Sequence, residues 1–317
     1  MTTETSPGLD RAACPARSLE DLVGNTPLLR VDLPGLADDV TLLAKLEMLN
    51  PLCSVKDRAA LAMMRAAERS GQLPATGGTV IECSSGSTGI SLAALSVRRG
   101  HRCIIVMPDN ATRERRLLLR ELGAEVVLVP HGEGLLAAWA HAEELQRTLP
   151  GSWLPHQDRN QANARAHYDT TGPEIWAATE GRVDVLVCAV GTGGTLSGIA
   201  RYLKERTSVH VVAVEPARSA VLSGGEPGPH GIPGIGAGYV SDLTDLTLVD
   251  EVVAVSDEAA AATAREVVRA TGLPVGVSSG AAAWASRTVG ADPRRAGATI
   301  VTVFPDSGER YLSTTPR

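Results

Sequence analysis

Short runs of Val, Ile, Leu and Ala alternate with amphipathic stretches along most of the 317 residues, and this alternation constrains the fold more than any other feature of the chain. Strands are predicted over 79–83, 103–107, 125–129, 183–189, 209–215, 251–255 and 298–304. Helices are predicted over 55–70, 88–99, 113–122, 135–149, 196–205, 257–271 and 280–289. Strands that read as continuous apolar runs, separated by helices with one apolar face, imply parallel sheets covered on both sides, so the fold class is α/β. The length exceeds one typical core and the rhythm breaks over 152–172, around Trp153 and Pro155, which reads as a crossing between two sheet-based halves. A second irregular stretch, 224–238, is dense in Gly and Pro and is expected to lie over a cleft.

Charge and cysteine usage remove several function classes. The net charge is −6, with basic residues dispersed and no Lys/Arg run interleaved with aromatics, so neither nucleic acid nor an anionic membrane is a favoured partner. Residues 1–17 are polar with no apolar signal core and read as a disordered lead-in, and no apolar run reaches membrane-spanning length. Cys14, Cys53, Cys83, Cys103 and Cys188 are odd in number and scattered, which suits a reducing cytoplasm better than a disulfide framework or a zinc site. No metal site is expected, and small molecules are the expected partners.

Lysine is the scarce functional group. It occurs only at Lys45, Lys56 and Lys204 among 30 basic residues, so a primary amine is not mere surface decoration here. Lys45 sits in an apolar strand-like run and Lys204 on a charged helical face, both expected to be solvated or ion-paired. Lys56 follows a turn signal, Asn50-Pro51-Leu52-Cys53-Ser54, with Ser54 a candidate N-cap, which places it in the first turn of a helix. Arg cannot replace an amine that forms a Schiff base with an aldehyde, so Lys56 is a candidate covalent anchor; the plainer reading is a surface helix lysine beside Asp57 and Arg58.

Three loops between strands and helices carry further chemistry, in the position where α/β folds bind ligands. Gly191-Thr192-Gly193-Gly194-Thr195 lets backbone N–H groups converge at a helix N-terminus and adds two hydroxyls, an anion cup suited to a monophosphate. Neither a Walker A loop nor the dinucleotide glycine register is matched. Ser84-Ser85-Gly86-Ser87-Thr88-Gly89 has the donors to grip a carboxylate, and Ser278, in Gly276-Val277-Ser278-Ser279-Gly280, offers a neutral hydroxyl to a heterocyclic nitrogen. Each of these two loops, taken alone, reads equally as a capped helix start.

An amine, a monophosphate cup, a carboxylate loop and a hydroxyl for a ring nitrogen together describe a pyridoxal phosphate site acting on an amino acid. With Val23-Gly24-Asn25-Thr26-Pro27-Leu28, Thr170-Thr171-Gly172-Pro173-Glu174-Ile175-Trp176, Gly234-Ile235-Gly236-Ala237-Gly238 and Ser307-Gly308-Glu309-Arg310-Tyr311 in order along nearly the whole chain, it closely resembles the cysteine synthase (O-acetylserine sulfhydrylase) family of tryptophan-synthase-β-like enzymes. The resemblance implies two three-layer α/β/α domains with pyridoxal 5'-phosphate in the cleft between them. A smaller mobile substrate domain would span 48–160 and a larger cofactor domain 18–47 plus 161–317. It implies Lys56 as Schiff-base lysine and general base, and Gly191, Thr192, Gly193, Gly194 and Thr195 as the phosphate loop. Ser278 would bond the pyridine nitrogen and Ser87 would contact the cofactor ring. Ser84, Ser85, Gly86, Thr88 and Gln157 would hold the substrate carboxylate, with Arg159 and Gly236 also toward the substrate. The implied activity is β-replacement on an O-activated L-serine, O-acetyl-L-serine foremost, through an aminoacrylate, with sulfide as nucleophile, in a cytoplasmic homodimer.

Two departures keep other readings open. Typical cysteine synthases carry Asn where this chain has Ser87. An aromatic usually follows the Gln, where Asp158 and Arg159 here put charge beside the expected path of the nucleophile. A synthase of another β-substituted alanine, such as 2,3-diaminopropionate from O-phosphoserine with the phosphate paired to Arg159, therefore stands beside the sulfide reading. So do cystathionine β-synthase and a catalytically weak cofactor-binding partner protein.

Overall fold

Two mostly parallel sheets organise the chain. The computed structural model describes residues 15–84, 86–130, 132 and 134–312. The chain opens with β1 (Leu28–Arg30) and β2 (Thr41–Leu46), followed by α1 (Lys56–Ser70). Next come β3 (Thr79–Cys83), α2 (Ser87–Arg98), β4 (Arg102–Pro108), α3 (Arg113–Glu121), β5 (Glu125–Val129), α4 (Gly134–Thr148) and β6 (Ser152–Trp153). Then follow α5 (Gln161–Ala166), α6 (Gly172–Ala178), β7 (Val185–Ala189), α7 (Gly194–Lys204), β8 (His210–Pro216), β9 (Glu251–Val255), α8 (Asp257–Thr271), α9 (Val277–Gly290) and β10 (Thr299–Phe304). One sheet runs β1-β2-β10-β7-β8-β9 and the other β5-β4-β3-β6. Every pairing is parallel except β1 with β2.

The apolar runs are explained by burial on both faces. In β7, Val185 and Val187 point into a core shared with α8 and α9, while Leu186 and Cys188 point into one shared with α6 and α7. In β4, Ile104 and Val106 join the core under α4, whereas Cys103, Ile105 and Met107 join the one under α2 and α3. Successive side chains alternate between faces, so a strand covered on both sides reads as unbroken hydrophobicity.

The predicted break over 152–172 is in fact structured. Ser152 and Trp153 pair with Thr79 and Val80 to complete the four-stranded sheet, and α5, a π-helical turn (His167–Thr171) and α6 carry the chain across. A two-residue strand and a six-residue helix are too short to display a period, which is why the sequence shows only irregularity there. Ser54 is found where the turn signal places it, at the start of α1. Val55 already has helical backbone angles, and the Ser54 hydroxyl accepts from the N–H of Lys56, the first residue of α1, at 3.3 Å, as an N-cap does. The Ser54 backbone is also bridged to Asp306 beyond the end of β10.

A buried ion cluster fixes α1, and with it Lys56, to the rest of the molecule. Arg58 donates to Glu47 at 2.7 and 2.9 Å and to Glu174 at 2.6 and 2.7 Å, and Lys45 meets Glu174 at 2.6 Å. Lys45 is ion-paired as expected from the sequence, yet only 2 % exposed. Two cations face two carboxylates, so the cluster is neutral overall. Lys204, the third lysine, pairs with Asp250 at the surface.

Candidate active site

The carboxyl ends of β3, β7 and β10 open onto one cavity of about 390 Å³. Lys56, Ser84, Gly86, Ser87, Thr88, Gln157, Gly191, Thr192, Gly193, Thr195 and Ser278 all line it, so nearly every residue singled out in the sequence converges there. Gly194 lies within the same loop as the first residue of α7. Ser85 falls outside the described residues. Arg159 and Gly236 are not cavity-lining: Arg159 has a side chain 56 % exposed, and Gly236 belongs to a separate small depression beside Glu215 and Ser219.

Three helices begin at this cavity, and none has a side-chain cap: α2 starts after Gly86, α7 after Gly193 and α9 after Gly276. By contrast, Asn160 caps α5 and Ser256 caps α8, while α3 and α6 also start without a side-chain cap. First-turn N–H groups without a cap need another acceptor, and a helix N-terminus attracts negative charge. At the glycine loop, Gly193 has φ +76°, a left-handed conformation that glycine adopts without cost. A Cβ on Gly191 would stand 2.5 Å from the Gly234 carbonyl oxygen, and one on Gly194 2.4 Å from Asn163 Oδ1. The loop is therefore shaped by close backbone approach.

Around it the hydroxyls are oriented. Asn163 Nδ2 donates to Gln157 O at 2.7 Å and to Thr192 Oγ1 at 3.2 Å, leaving the Thr192 proton to point elsewhere. Thr195 Oγ1 lies 3.2 Å from His167 Nε2. Burial pushes the His167 imidazole down to about 3, so it is neutral at physiological pH. In the carboxylate loop, Ser84 Oγ accepts from the Gly86 and Gly89 N–H groups at 3.2 Å each and so holds the turn's shape, while Thr88 donates to Gln157 Oε1 at 2.6 Å. Ser87 Oγ accepts from Arg310 Nη1 at 2.5 Å, which commits its lone pair but not its proton.

Lys56 Nζ makes no hydrogen bond or ion pair among the described residues. Burial holds its pKa below the usual lysine range, opposed by the charge of Asp306. Asp306 is itself raised by burial and accepts from the Tyr311 hydroxyl, and the Arg115 guanidinium lies 5.1 Å above the Tyr311 ring. Opposite these groups stand Trp139, stacked on His156 at 5.6 Å, and Tyr239, whose hydroxyl donates to Asp158 at 3.1 Å.

Sequence reasoning did not assign roles to Asp306, Tyr311, Arg115, Trp139, Tyr239, Asn163 or His167. For Asp306 a signal existed: it follows a predicted strand at its carboxyl end, where ligands bind. Trp139 stood out as the lone aromatic of an alanine-rich helix. The partners that orient Thr192 and Thr195 come from α5 and the π turn, which the sequence did not reveal as helical. Among the described residues no group of side chains forms a metal site, and no helix is long and apolar enough to cross a membrane.

The donor set suits pyridoxal phosphate: a cluster of N–H and hydroxyl donors for a phosphate at α7, a buried neutral hydroxyl, Ser278, for a ring nitrogen, and an unpaired amine of lowered pKa for an aldehyde. Comparison with known proteins agrees. Residues 19–306 match the family model described as pyridoxal-phosphate dependent enzyme. The chain is 41 % identical over 304 residues to a cysteine synthase of Staphylococcus aureus, covering 95 % of this chain and 96 % of that one. Among solved structures, it superposes on O-acetyl serine sulfhydrylase isoform 3 of Entamoeba histolytica with a TM-score of 0.90, 40 % identity and 99 % and 93 % coverage. It likewise superposes on an O-ureido-L-serine synthase with a TM-score of 0.91, 36 % identity and 95 % coverage of each chain.

Proposed function

Because the chain belongs to the cysteine synthase branch of the pyridoxal-phosphate dependent enzymes, we propose that it replaces the β-substituent of an O-activated L-serine, with O-acetyl-L-serine as donor. The observation that carries this reading is the meeting of unpaired Lys56 with the uncapped starts of α2, α7 and α9 in one cavity. Pyridoxal phosphate, when bound, supplies an aldehyde that links to amines and a ring that withdraws electrons from the substrate Cα.

The chain's own residues do the rest. The loop at Gly191, Thr192, Gly193, Gly194 and Thr195 would hold the phosphate, and Ser278 the ring nitrogen by a neutral hydrogen bond. The Ser87 proton is available to the ring hydroxyl. The Gly86 loop, Thr88 and Gln157 are positioned for the substrate carboxylate, which meets the N-terminus of α2. Lys56, with its pKa lowered, would be the covalent anchor of the cofactor, and as a free amine it would take the proton from Cα and return it. Closure of the unit at 48–160 over the larger one would exclude water during these steps. We take the enzyme to act as a homodimer, as the resemblance implies.

Sulfide is the reference nucleophile for this branch. A second reading, in which another nucleophile is used, is favoured by Asp158, a carboxylate on the cavity wall. The test is the visible absorption spectrum of the purified protein before and after O-acetyl-L-serine, and separately O-phospho-L-serine, with no nucleophile present. A cofactor band that changes with O-acetyl-L-serine supports the donor assignment; a change with O-phospho-L-serine alone reassigns it. In Lys56→Ala, substantial residual β-replacement would refute the role given to Lys56.

A further inference from the structure

Asp158 is a carboxylate at the wall of the cavity with an acceptor atom unused. The residue is 8 % exposed and lines the same space as Lys56 and Gln157. Its Oδ2 accepts from the Tyr239 hydroxyl at 3.1 Å, but Oδ1 is buried with no hydrogen-bond partner. Arg159 Nε is 3.8 Å from Oδ1, beyond hydrogen-bond reach, on a side chain turned mostly to solvent. Arg115, which lines the cavity together with Lys56, lies over the Tyr311 ring beside Asp306. Burial, and then the Asp158 charge, push the pKa of Glu82, which is fully buried with both oxygens unbonded, well above the usual carboxylate range. Tyr239, pushed up to about 12 by burial and by Asp158, keeps its proton and remains a donor.

A buried acceptor without a protein partner is costly unless another group completes it. Trp139, Tyr239 and Tyr311 line the same cavity, and a carboxylate in a cavity lined by aromatic rings suits groups that bring N–H donors or positive charge. Hydrosulfide offers neither, and its negative charge is repelled by the carboxylate.

We propose that Asp158, positioned by Tyr239, selects a second substrate that carries N–H donors, an amine or amide-type nitrogen nucleophile, over hydrosulfide. This rests on the donor reading above. In the net exchange, the Cβ–O bond breaks and acetate leaves with the electron pair. A C–N bond forms from the nitrogen lone pair, and the surplus N–H proton passes to the Asp158 carboxylate and on to solvent.

The experiment uses the holoenzyme with saturating O-acetyl-L-serine and compares kcat/KM for hydroxylamine and ammonia with that for sulfide, identifying products by mass. The spectral change with O-acetyl-L-serine alone is recorded for every variant. The wild type should favour a nitrogen nucleophile. In Asp158→Asn the nitrogen-to-sulfide ratio should fall by roughly 10- to 100-fold, the size of a lost charge-assisted hydrogen bond. Tyr239→Phe removes the hydroxyl that positions the carboxylate, so its nitrogen-to-sulfide ratio should also fall, by less than in Asp158→Asn; an unmoved ratio there counts against the proposal even if Asp158→Asn does not fold. Absence of the spectral change in the wild type sinks the donor reading itself. A normal spectral change with sulfide preferred over both nitrogen probes, or a ratio unmoved in Asp158→Asn, overturns the role of Asp158 alone.

Discussion

Replacing Arg58 by Met isolates the interaction that ties the helix of Lys56 to the rest of the molecule. Arg58 makes two bidentate pairs, with Glu47 and with Glu174, and further bonds to Thr170 at 3.0 Å and Thr26 at 3.2 Å. Without it Glu174 keeps Lys45 at 2.6 Å, but the fully buried Glu47 keeps only the Thr26 hydroxyl at 2.7 Å and the Asn50 amide at 2.8 Å. The neutral cluster becomes one of net charge −1. Removing one partner of a buried ion pair costs about 3–5 kcal/mol. At the lower end of the usual conversion for chains of this size, that is roughly 6–15 °C in Tm. Arg58→Met/Glu47→Gln restores neutrality, keeps one acceptor oxygen for the Asn50 amide and turns an amide donor toward the Thr26 hydroxyl, and should regain about 1–3 kcal/mol over the single variant. Burial favours protonation of Glu47, but Arg58 overrides it and holds the carboxyl at about 2. Its folded pKa is depressed, so its contribution is full above the unfolded value and is lost as pH falls from about 4.5 toward 2. The wild-type advantage over Arg58→Met should shrink across that window. Scanning calorimetry of the cofactor-free proteins at several pH values measures all of this. An Arg58→Met Tm within about 2 °C of wild type, or a double variant no better than the single, would refute the reasoning.

Gly194→Ala should lower both stability, by about 1–3 kcal/mol, and affinity for pyridoxal phosphate, because its Cβ would meet Asn163 Oδ1 at 2.4 Å; unchanged cofactor retention on dialysis would count against the loop geometry. Since burial lowers the Lys56 pKa, more of the amine is free near neutrality than in an exposed lysine. The rate of cofactor capture by the apo-protein should therefore rise with pH and level off below the usual lysine value, and a rate still climbing at that value would contradict the assignment. Among the described cysteines, Cys53 is exposed, whereas Cys83, Cys103 and Cys188 are buried with thiols pushed up to about 12. A thiol reagent should modify Cys53 at once and the other three only after unfolding, as peptide mapping would reveal.

Much of this architecture is legible in the sequence for identifiable reasons. The strands at 79–83, 125–129 and 251–255 and the helix at 257–271 coincide with β3, β5, β9 and α8, because covered parallel strands are continuously apolar and bounded by turns. The helix of Lys56 was placed to within one residue. What the sequence hid is tertiary. Residues 152–172 lack a period because their elements are very short, and so the orienting partners Asn163 and His167 went unseen. The uncapped state of α2, α7 and α9 depends on where the Ser and Thr hydroxyls point. Ser84 spends its oxygen on its own loop, and Ser87 receives Arg310 from the far end of the chain, relations that no local pattern encodes. Gly236 sits in a glycine-rich motif beside the cavity, yet faces Pro216 and His230 because a single residue of loop geometry turns it away.

Leaving three helix starts without side-chain caps has a cost outside catalysis. At α7 the acceptor that meets these N–H groups is the cofactor phosphate, so the free energy of folding becomes coupled to the cellular supply of the cofactor. At a free ligand concentration of one hundred times Kd, such linkage adds about 2.7 kcal/mol. For a molecule of ordinary marginal stability this is a substantial part of the whole. Depletion of the vitamin from which the cofactor derives would therefore reduce the amount of folded protein as well as its turnover, and the abundance of the chain would track cofactor availability without any dedicated regulator.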